Sequence, residues 1–267
     1  LIDDYFELQE TYEKKFGEKT IVLMQVGGFF EVYGVVTDTI KKGRIYEICE
    51  LTNLNVSKRH SKTDPISLKN PLMAGFPNHS FDKWQDILLK HNYTIIKIEQ
   101  DTNGEPKPTR EVSEIISPGV NINSKNFSNN MISIYLEEYK DHKTKQPILQ
   151  IGVAILDITT GCTQVYETHS DPNDFNYSLD ELFRIIQMTN PCEIIIHTEN
   201  ISLTKEQLLK YLEIEMYQFH YNMTECSHIL KNQHKHQLLA KVFPDHGVLT
   251  PVEYIGLDRS PFALIAY

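Results

Sequence analysis

The sequence predicts an α/β chain of two domains: a mixed-sheet domain, then a domain that opens as an antiparallel meander and continues as alternating helices and strands. Three observations lead there. At 267 residues the chain is longer than one hydrophobic core usually serves. Apolar residues recur at helical spacing in some stretches and as short continuous runs in others, the pattern of interleaved helices and strands. Residues 121–130, NINSKNFSNN, are polar, rich in turn formers and have little to bury, so they read as a linker between domains at 1–120 and 131–267.

In the first domain, residues 3–16 set Tyr5, Leu8, Tyr12 and Phe16 on one helical face, and the helix ends near Gly17. TIVLMQV (20–26) is a buried strand running into Gly27-Gly28. A second helix is expected over much of 35–51, and NLNVSKRH (53–60) and NPLMAGFP (70–77) as strands or extended segments. Ser80 is placed to cap a helix through His91 whose inner face carries Trp84, Ile87 and Leu88. Strands TIIKIEQ (94–100) and EVSEIIS (111–117) follow, separated by a Pro/Gly/charge-rich loop, with Pro118-Gly119 stopping the second.

In the second domain, MISIYLEEY, PILQIGVAILDI and CTQVYET are three strands joined by short turns, the last at Thr159-Thr160-Gly161. A helix around 178–189, strand EIIIHT (193–198), a helix around 204–213, strand EMYQFHY (215–221) and a long helix around 225–242 complete it. Three antiparallel strands followed by alternating helix and strand is the element order of a ribonuclease-H-like fold.

With 40% apolar and 23% charged residues and no apolar run long enough to span a bilayer, the expectation is a globular chain without a membrane partner. The chain opens with Leu1 and LIDDYFELQE, which lacks the basic and apolar regions of a signal peptide, so it is expected to be part of a longer protein. Cys49, Cys162, Cys192 and Cys226 lie far apart with no CxxC pair, which suggests an intracellular, reducing compartment rather than a disulfide framework. The net charge of −10 opposes phosphate binding, but it is unevenly spread. Residues 1–125 carry 16 Lys and Arg against 18 Asp and Glu, residues 126–267 carry 10 against 18. Between 41 and 69, Lys41, Lys42, Arg44, Lys58, Arg59, Lys62 and Lys69 outweigh Glu47, Glu50 and Asp64.

The segment MQVGGFFEVYG (24–34) carries the chemistry. Glycines at a strand end let the backbone turn sharply, and alternation beyond them puts Phe29 and Glu31 on one face and Phe30 on the other. An exposed Phe is the type of wedge that minor-groove proteins insert between base steps, at a cost of a few kcal/mol that falls where pairing is already faulty. A neighbouring carboxylate repels phosphates but can exchange a hydrogen bond with a displaced base.

These residues, in their context, resemble the MutS mismatch-repair family over nearly the whole chain. Phe29 and Glu31 stand where the family's Gly-Asp-Phe-Tyr-Glu type motif has its stacking Phe and base-bonding Glu, with Gly28 in place of the Asp. NVSKRH (55–60), PLMAGFPNHS (71–80), TIIKIEQ (94–100), REVSEIISPGV (110–120) and GVAILDITTG (152–161) resemble further family segments in the right order, the last of them in the connector domain. The resemblance implies that Arg59, Met73 and Arg110 lie near a duplex and Lys58 on its phosphate side. It also departs from the family at Glu111 and Glu114, where basic residues are usual.

The function so implied is binding of mismatched or small-loop duplex DNA, with no catalysis, cofactor or metal in these residues. A DNA-dependent ATPase using ATP and Mg, homodimerisation and mismatch-repair partner proteins would belong to the larger protein. Two alternatives are a ribonuclease-H-type nuclease centred on Asp157 with Glu181, which would need further convergent carboxylates, and a scaffold for junctions or partner proteins. Cys226, His228, His234 and His236 follow no standard zinc spacing, and FGEKT (16–20) lacks the register of a phosphate loop.

Overall fold

The computed structural model describes residues 1–60, 62–101, 109–120, 129–142, 145–171, 173–222, 231–244 and 247–267. The chain divides into two compact units, Leu1–Ser124 and Lys125–Tyr267. The linker expected at 121–130 lies outside the described residues at 121–128, and Asn130 already belongs to a strand.

The first unit opens with α1 (Ile2–Phe16), whose first turn carries Asp3 and Asp4 and whose last carries Lys14 and Lys15, each sign matching the helix dipole. The chain then runs through β1 (Thr20–Val26), β2 (Phe29–Val36), β3 (Lys41–Lys42), α2 (Ile45–Thr52), β4 (Ser57–Lys58), β5 (Leu72–Pro77), α3 (Phe81–Lys90), β6 (Thr94–Asp101) and β7 (Thr109–Ile116). The sheet order is β4-β5-β2-β1-β6-β7, with β3 paired to β2. Among the described residues of this sheet β1 and β6 pair in parallel and the other strand pairs are antiparallel, so the sheet is mixed as expected.

Alternation along β2 assigns its side chains to two different cores. Phe30 and Val32 point into the layer roofed by α2 and α3, where Phe76, Phe81 and Leu88 are buried and Trp84 packs alongside. Tyr33 and Val35 point into the other layer, against Tyr5 and Phe6 of α1. Buried Gln9 fastens α1 to the sheet, donating to the Thr20 carbonyl at 2.7 Å and accepting from the Val22 amide at 2.9 Å.

Residues 35–51 do not form the single helix expected of them. β2 continues to Val36, the chain returns as β3, and α2 starts only at Ile45. The reason is local: Val35, Val36, Thr37, Thr39 and Ile40 are β-branched and favour extended backbone. Gly43 (φ 73) makes the turn into α2, where a Cβ would press on the Tyr33 carbonyl. The segment 53–60 contributes only two strand residues. Ser80 occupies the N-cap of α3, but its hydroxyl donates back to the Pro77 carbonyl at 2.9 Å, because Asn78–Ser80 form a 3-10 turn ahead of the helix.

The second unit holds β8 (Asn130–Lys140), β9 (Pro147–Asp157), β10 (Thr163–His169), α4 (Tyr177–Thr189), β11 (Glu193–Glu199), α5 (Lys205–Tyr211), β12 (Gln218–Tyr221), α6 (Asn232–Val242), α7 (Pro251–Tyr254) and α8 (Pro261–Ala266). Its sheet order is β10-β9-β8-β11-β12: the first three strands are antiparallel, then β11 lies parallel to β8 and β12 parallel to β11. The expected strand 215–221 begins as a 3-10 turn, Ile214–Met216, and of the expected helix 225–242 the described part is α6. Ile132, Ile134 and Leu136 alternate inward against Leu179, Leu182, Ile186 and Leu208 of α4 and α5. On the opposite face α8 lies so close that a Cβ on Gly152 would run into the Phe262 carbonyl, and Glu167 accepts from the Phe262 and Ala263 amides at 2.9 and 3.1 Å.

Candidate nucleic-acid interface

The hairpin between β1 and β2 presents the candidate residues. Val26 pairs with Phe29, so Gly27 and Gly28 form a two-residue turn with φ 60 at Gly27, the left-handed conformation that such tight hairpins demand of their first central residue. Phe29 is the first residue beyond the turn and is 50% exposed; Phe30, one residue on, is 3% exposed. Glu31 and Tyr33 share the face of Phe29, each step of two residues along the strand covering about 6.6 Å. That face lies on the α1 side of the sheet.

The turn is braced from three other segments. Asn78 donates its backbone amide to the Gly28 carbonyl at 3.0 Å and its Nδ2 to the Gly27 carbonyl at 3.3 Å. Gln100 accepts at Oε1 from the Gly27 amide at 3.1 Å, and its own backbone amide donates to Gln25 Oε1 at 2.9 Å. Arg110 completes the ring, its Nε donating to the Gln25 carbonyl at 3.0 Å and its Nη2 to Gln100 Oε1 at 3.3 Å. A side chain at Gly28 would meet nothing within 4 Å, so packing does not require glycine there.

Behind Phe29 a second chain of contacts runs into the core. The Tyr33 hydroxyl donates to Glu31 Oε2. Burial of the Tyr33 ring, with the Glu31 carboxylate beside it, pushes that hydroxyl well above its ordinary range and keeps it a proton donor. The ring is 1% exposed, 5.0 Å centroid to centroid and edge-on to Tyr5, with the Arg59 guanidinium 5.2 Å over it. Gly75 lies opposite Glu31 on β5, where a Cβ would press on the Phe30 carbonyl and the Glu31 side chain.

The six residues singled out in the sequence therefore fall into distinct settings. Glu31, Arg59 and Met73 meet around Tyr33, with Met73 directly opposite it on β5 and packed into the α1-side core, while Phe29 stands at the turn end of the same strand face. Lys58 lies on β4, its Nζ donating to the carbonyls of Lys62 and Asp64 at 3.2 and 2.7 Å. Arg110 is half-buried among the groups that hold the hairpin. Glu111 and Glu114 are exposed on β7, Glu114 reaching Lys97 at 3.2 Å. Gln25, Asn78 and Gln100 carried no signal in the sequence, since their partners lie 73 or 75 positions away across the sheet or 51 away on the next turn. Tyr33 did carry one, the same alternation that paired Phe29 with Glu31.

In the second unit, Asp157 is occupied by its own turn, accepting from the Thr159 amide at 2.9 Å and the Thr160 hydroxyl at 2.7 Å. The Thr160 hydroxyl, with the two threonine amides, holds this carboxyl below its ordinary range. Glu181 pairs with Arg184. Among the described residues no three His, Cys, Asp or Glu side chains are grouped to hold a metal ion. Cys226 and His228 lie outside the described residues; His234 and His236 are on α6.

Comparison with known proteins adds the context. Residues 1–125 match the family model of MutS domain I. The chain is 28% identical, over 98% of its length and 25% of the relative's, to a mimivirus protein named as a mutS homologue and DNA mismatch repair protein. It is 30% identical to the DNA mismatch repair protein MutS of Thermodesulfovibrio yellowstonii over 65% of this chain and 18% of that one. With the protein of the same name from Methanosarcina acetivorans it shares 26% identity over 72% of this chain and 20% of the relative. The chain thus spans about a quarter or less of the length of these relatives.

Proposed function

We propose that this chain, whose residues 1–125 match MutS domain I and which is similar over most of its length to MutS mismatch repair proteins, binds duplex DNA and prefers sites where a base pair is mismatched or a small loop interrupts the stack. The observation that carries this reading is the split between adjacent phenylalanines: Phe30 anchors the core while Phe29 stands half-exposed at the tip of a braced hairpin, with Glu31 next on the same face. A wedge must be exposed to reach a base step and stiff enough not to fold back when the stack resists. Unstacking costs a few kcal/mol in sound duplex and less where pairing has failed, so such a wedge responds to duplex weakness. Glu31 then serves as hydrogen-bond partner for the displaced base and as a repulsive charge toward intact backbone. Arg59 and Met73 lie beside Tyr33 on this face, Lys58 serves as a phosphate contact from β4, and Arg110 acts through the hairpin it holds.

The second unit fits a connector with a ribonuclease-H-like fold. Its strand order, three antiparallel strands followed by two parallel ones reached through helices, supports that reading. ATP and Mg binding, ATP turnover, homodimerisation and contacts with other repair proteins belong, on this reading, to the intact protein. The nuclease alternative centred on Asp157 is disfavoured because both carboxylate oxygens already serve the β9–β10 turn.

The test is titration of the intact protein on a matched duplex and on the same duplex with one mismatch or one extra base. A preference for the defective duplex that Phe29→Ala removes is the expected outcome. Equal binding to both, or Mg²⁺-dependent cutting lost on Asp157→Asn, would overturn it.

A further inference from the structure

Glu31 can bond a displaced base only if its carboxylate is held, since a glutamate on a half-exposed strand face otherwise samples several rotamers. What holds it is Tyr33. The two side chains project from the same face of β2, and the hydroxyl donates to Oε2, while Oε1 accepts no hydrogen bond among the described residues. Tyr33 cannot swing away, because its ring is buried, edge-on to Tyr5 at 5.0 Å and covered by the Arg59 guanidinium at 5.2 Å. Tyr5 is itself tied to the strand beneath by its hydroxyl on the Val22 carbonyl at 3.3 Å. The tyrosine proton has one observed acceptor, and that acceptor is Glu31.

We propose that Tyr33 is the positioning residue for Glu31, its hydroxyl pinning Oε2 so that Oε1 is the oxygen offered to a displaced base. This deepens the reading of Phe29 and Glu31 as the mismatch-sensing pair and rests on it. The consequence is selectivity by base chemistry. A carboxylate that accepts at one oxygen from Tyr33 and offers the other suits a base edge bearing a donor, such as the N3–H of thymine or the N1–H of guanine. Arg59 enters the same unit by covering the ring, so its effect on discrimination runs through Tyr33 as well as through the phosphates.

The experiment uses the intact protein and a duplex with a single extra thymine, beside its matched counterpart. Tyr33→Phe keeps the ring and its packing and removes only the hydroxyl; loss of one hydrogen bond should weaken binding to the thymine-loop duplex about 2- to 10-fold and leave the matched duplex unchanged. Introduced on top of Glu31→Ala, the same substitution should do nothing further. In a Glu31→Gln background the sign should reverse: Tyr33 pins the amide oxygen and turns the NH₂ toward the thymine N3–H, so removing the hydroxyl lets the amide flip and strengthens binding. A purely structural tyrosine would give equal losses in all three backgrounds and on both duplexes, and that result overturns the assignment. Phe29→Ala separates the two levels. If it abolishes the preference for the defective duplex while Tyr33→Phe changes nothing in any background, Tyr33 alone fails. If Phe29→Ala leaves the preference intact, the mismatch reading fails and Tyr33's role with it.

Discussion

Phe29 and Phe30 are adjacent, chemically identical and opposite in environment, so replacing each with alanine separates binding from folding. Phe30 is 3% exposed, its ring 4.9 Å from that of Phe81 and 6.1 Å from that of Phe76. Truncating it opens a cavity in that cluster and should cost about 3–5 kcal/mol of stability. Phe29 is 50% exposed, so its truncation forfeits about half of the ~2–3 kcal/mol that full burial of a phenylalanine provides, or ~1 kcal/mol. Binding should show the reverse ranking. A base stacked on an aromatic ring is worth ~1–3 kcal/mol, so Phe29→Ala should weaken binding to a single-mismatch duplex about 5- to 150-fold. Matched duplex should hardly respond, because its steps stay closed. Urea unfolding of both variants, read beside titrations on the two duplexes at several salt concentrations, gives all four numbers. The reasoning is refuted if Phe29→Ala weakens both duplexes equally, or destabilises the chain as much as Phe30→Ala does.

Lys58→Ala should lower affinity for matched and mismatched duplex together and make the slope of log affinity against log salt shallower by up to about 1, the signature of one lost phosphate contact; an unchanged slope would make Lys58 only the clasp of the 62–64 turn. Burial, with the Glu193 charge adding to it, pushes the Cys192 thiol up to about 11, and burial also raises Cys49. Iodoacetamide at pH 8, followed by mass spectrometry, should therefore modify exposed Cys162 before Cys49 and Cys192, which it should reach only on unfolding; rapid native labelling of Cys192 would count against the fold around it. Asp157 has a depressed folded pKa, so its contribution to stability is present above the ordinary carboxylate range and is lost as pH falls through the lowered value. Asp157→Asn should accordingly lower the melting midpoint more at neutral pH than at about pH 3, with added DNA and RNA left uncut before and after the change.

The parts of the fold that could be read from the sequence are those in which one short-range pattern decides the outcome. Tyr5, Leu8, Tyr12 and Phe16 specify α1 by spacing alone, and the alternating isoleucines of β8 specify a strand without help from elsewhere. Where two patterns compete, the reading fails. Across 35–51, where one helix is expected, Ile45, Ile48 and Cys49 keep helical spacing, but the β-branched residues before them hold the backbone extended. The pairing β1–β6, 74 positions apart in register, has no local signature at all; it follows only when helix α3 is seen to return the chain to the same sheet.

The candidate site divides along the same line. Period-two alternation is local, so it placed Phe29 outside, Phe30 inside and Glu31 beside Phe29, and it also contained Tyr33. What alternation cannot supply is the stiffness of the hairpin. Gly28, with open space around it, would leave a two-glycine turn slack, since glycine loses more freedom on ordering than any other residue. The structure compensates from a distance: Asn78 holds both glycine carbonyls, Gln100 holds the Gly27 amide, and Arg110 locks Gln100 to Gln25. Those groups come from β5's end, β6 and β7, and their partners could not be deduced from spacing. Arg110, which the resemblance places near DNA, thereby acquires a second physical role. Its guanidinium gives two donors to the hairpin, and the wedge it steadies discriminates fully only if bending the turn costs more than opening a sound base step.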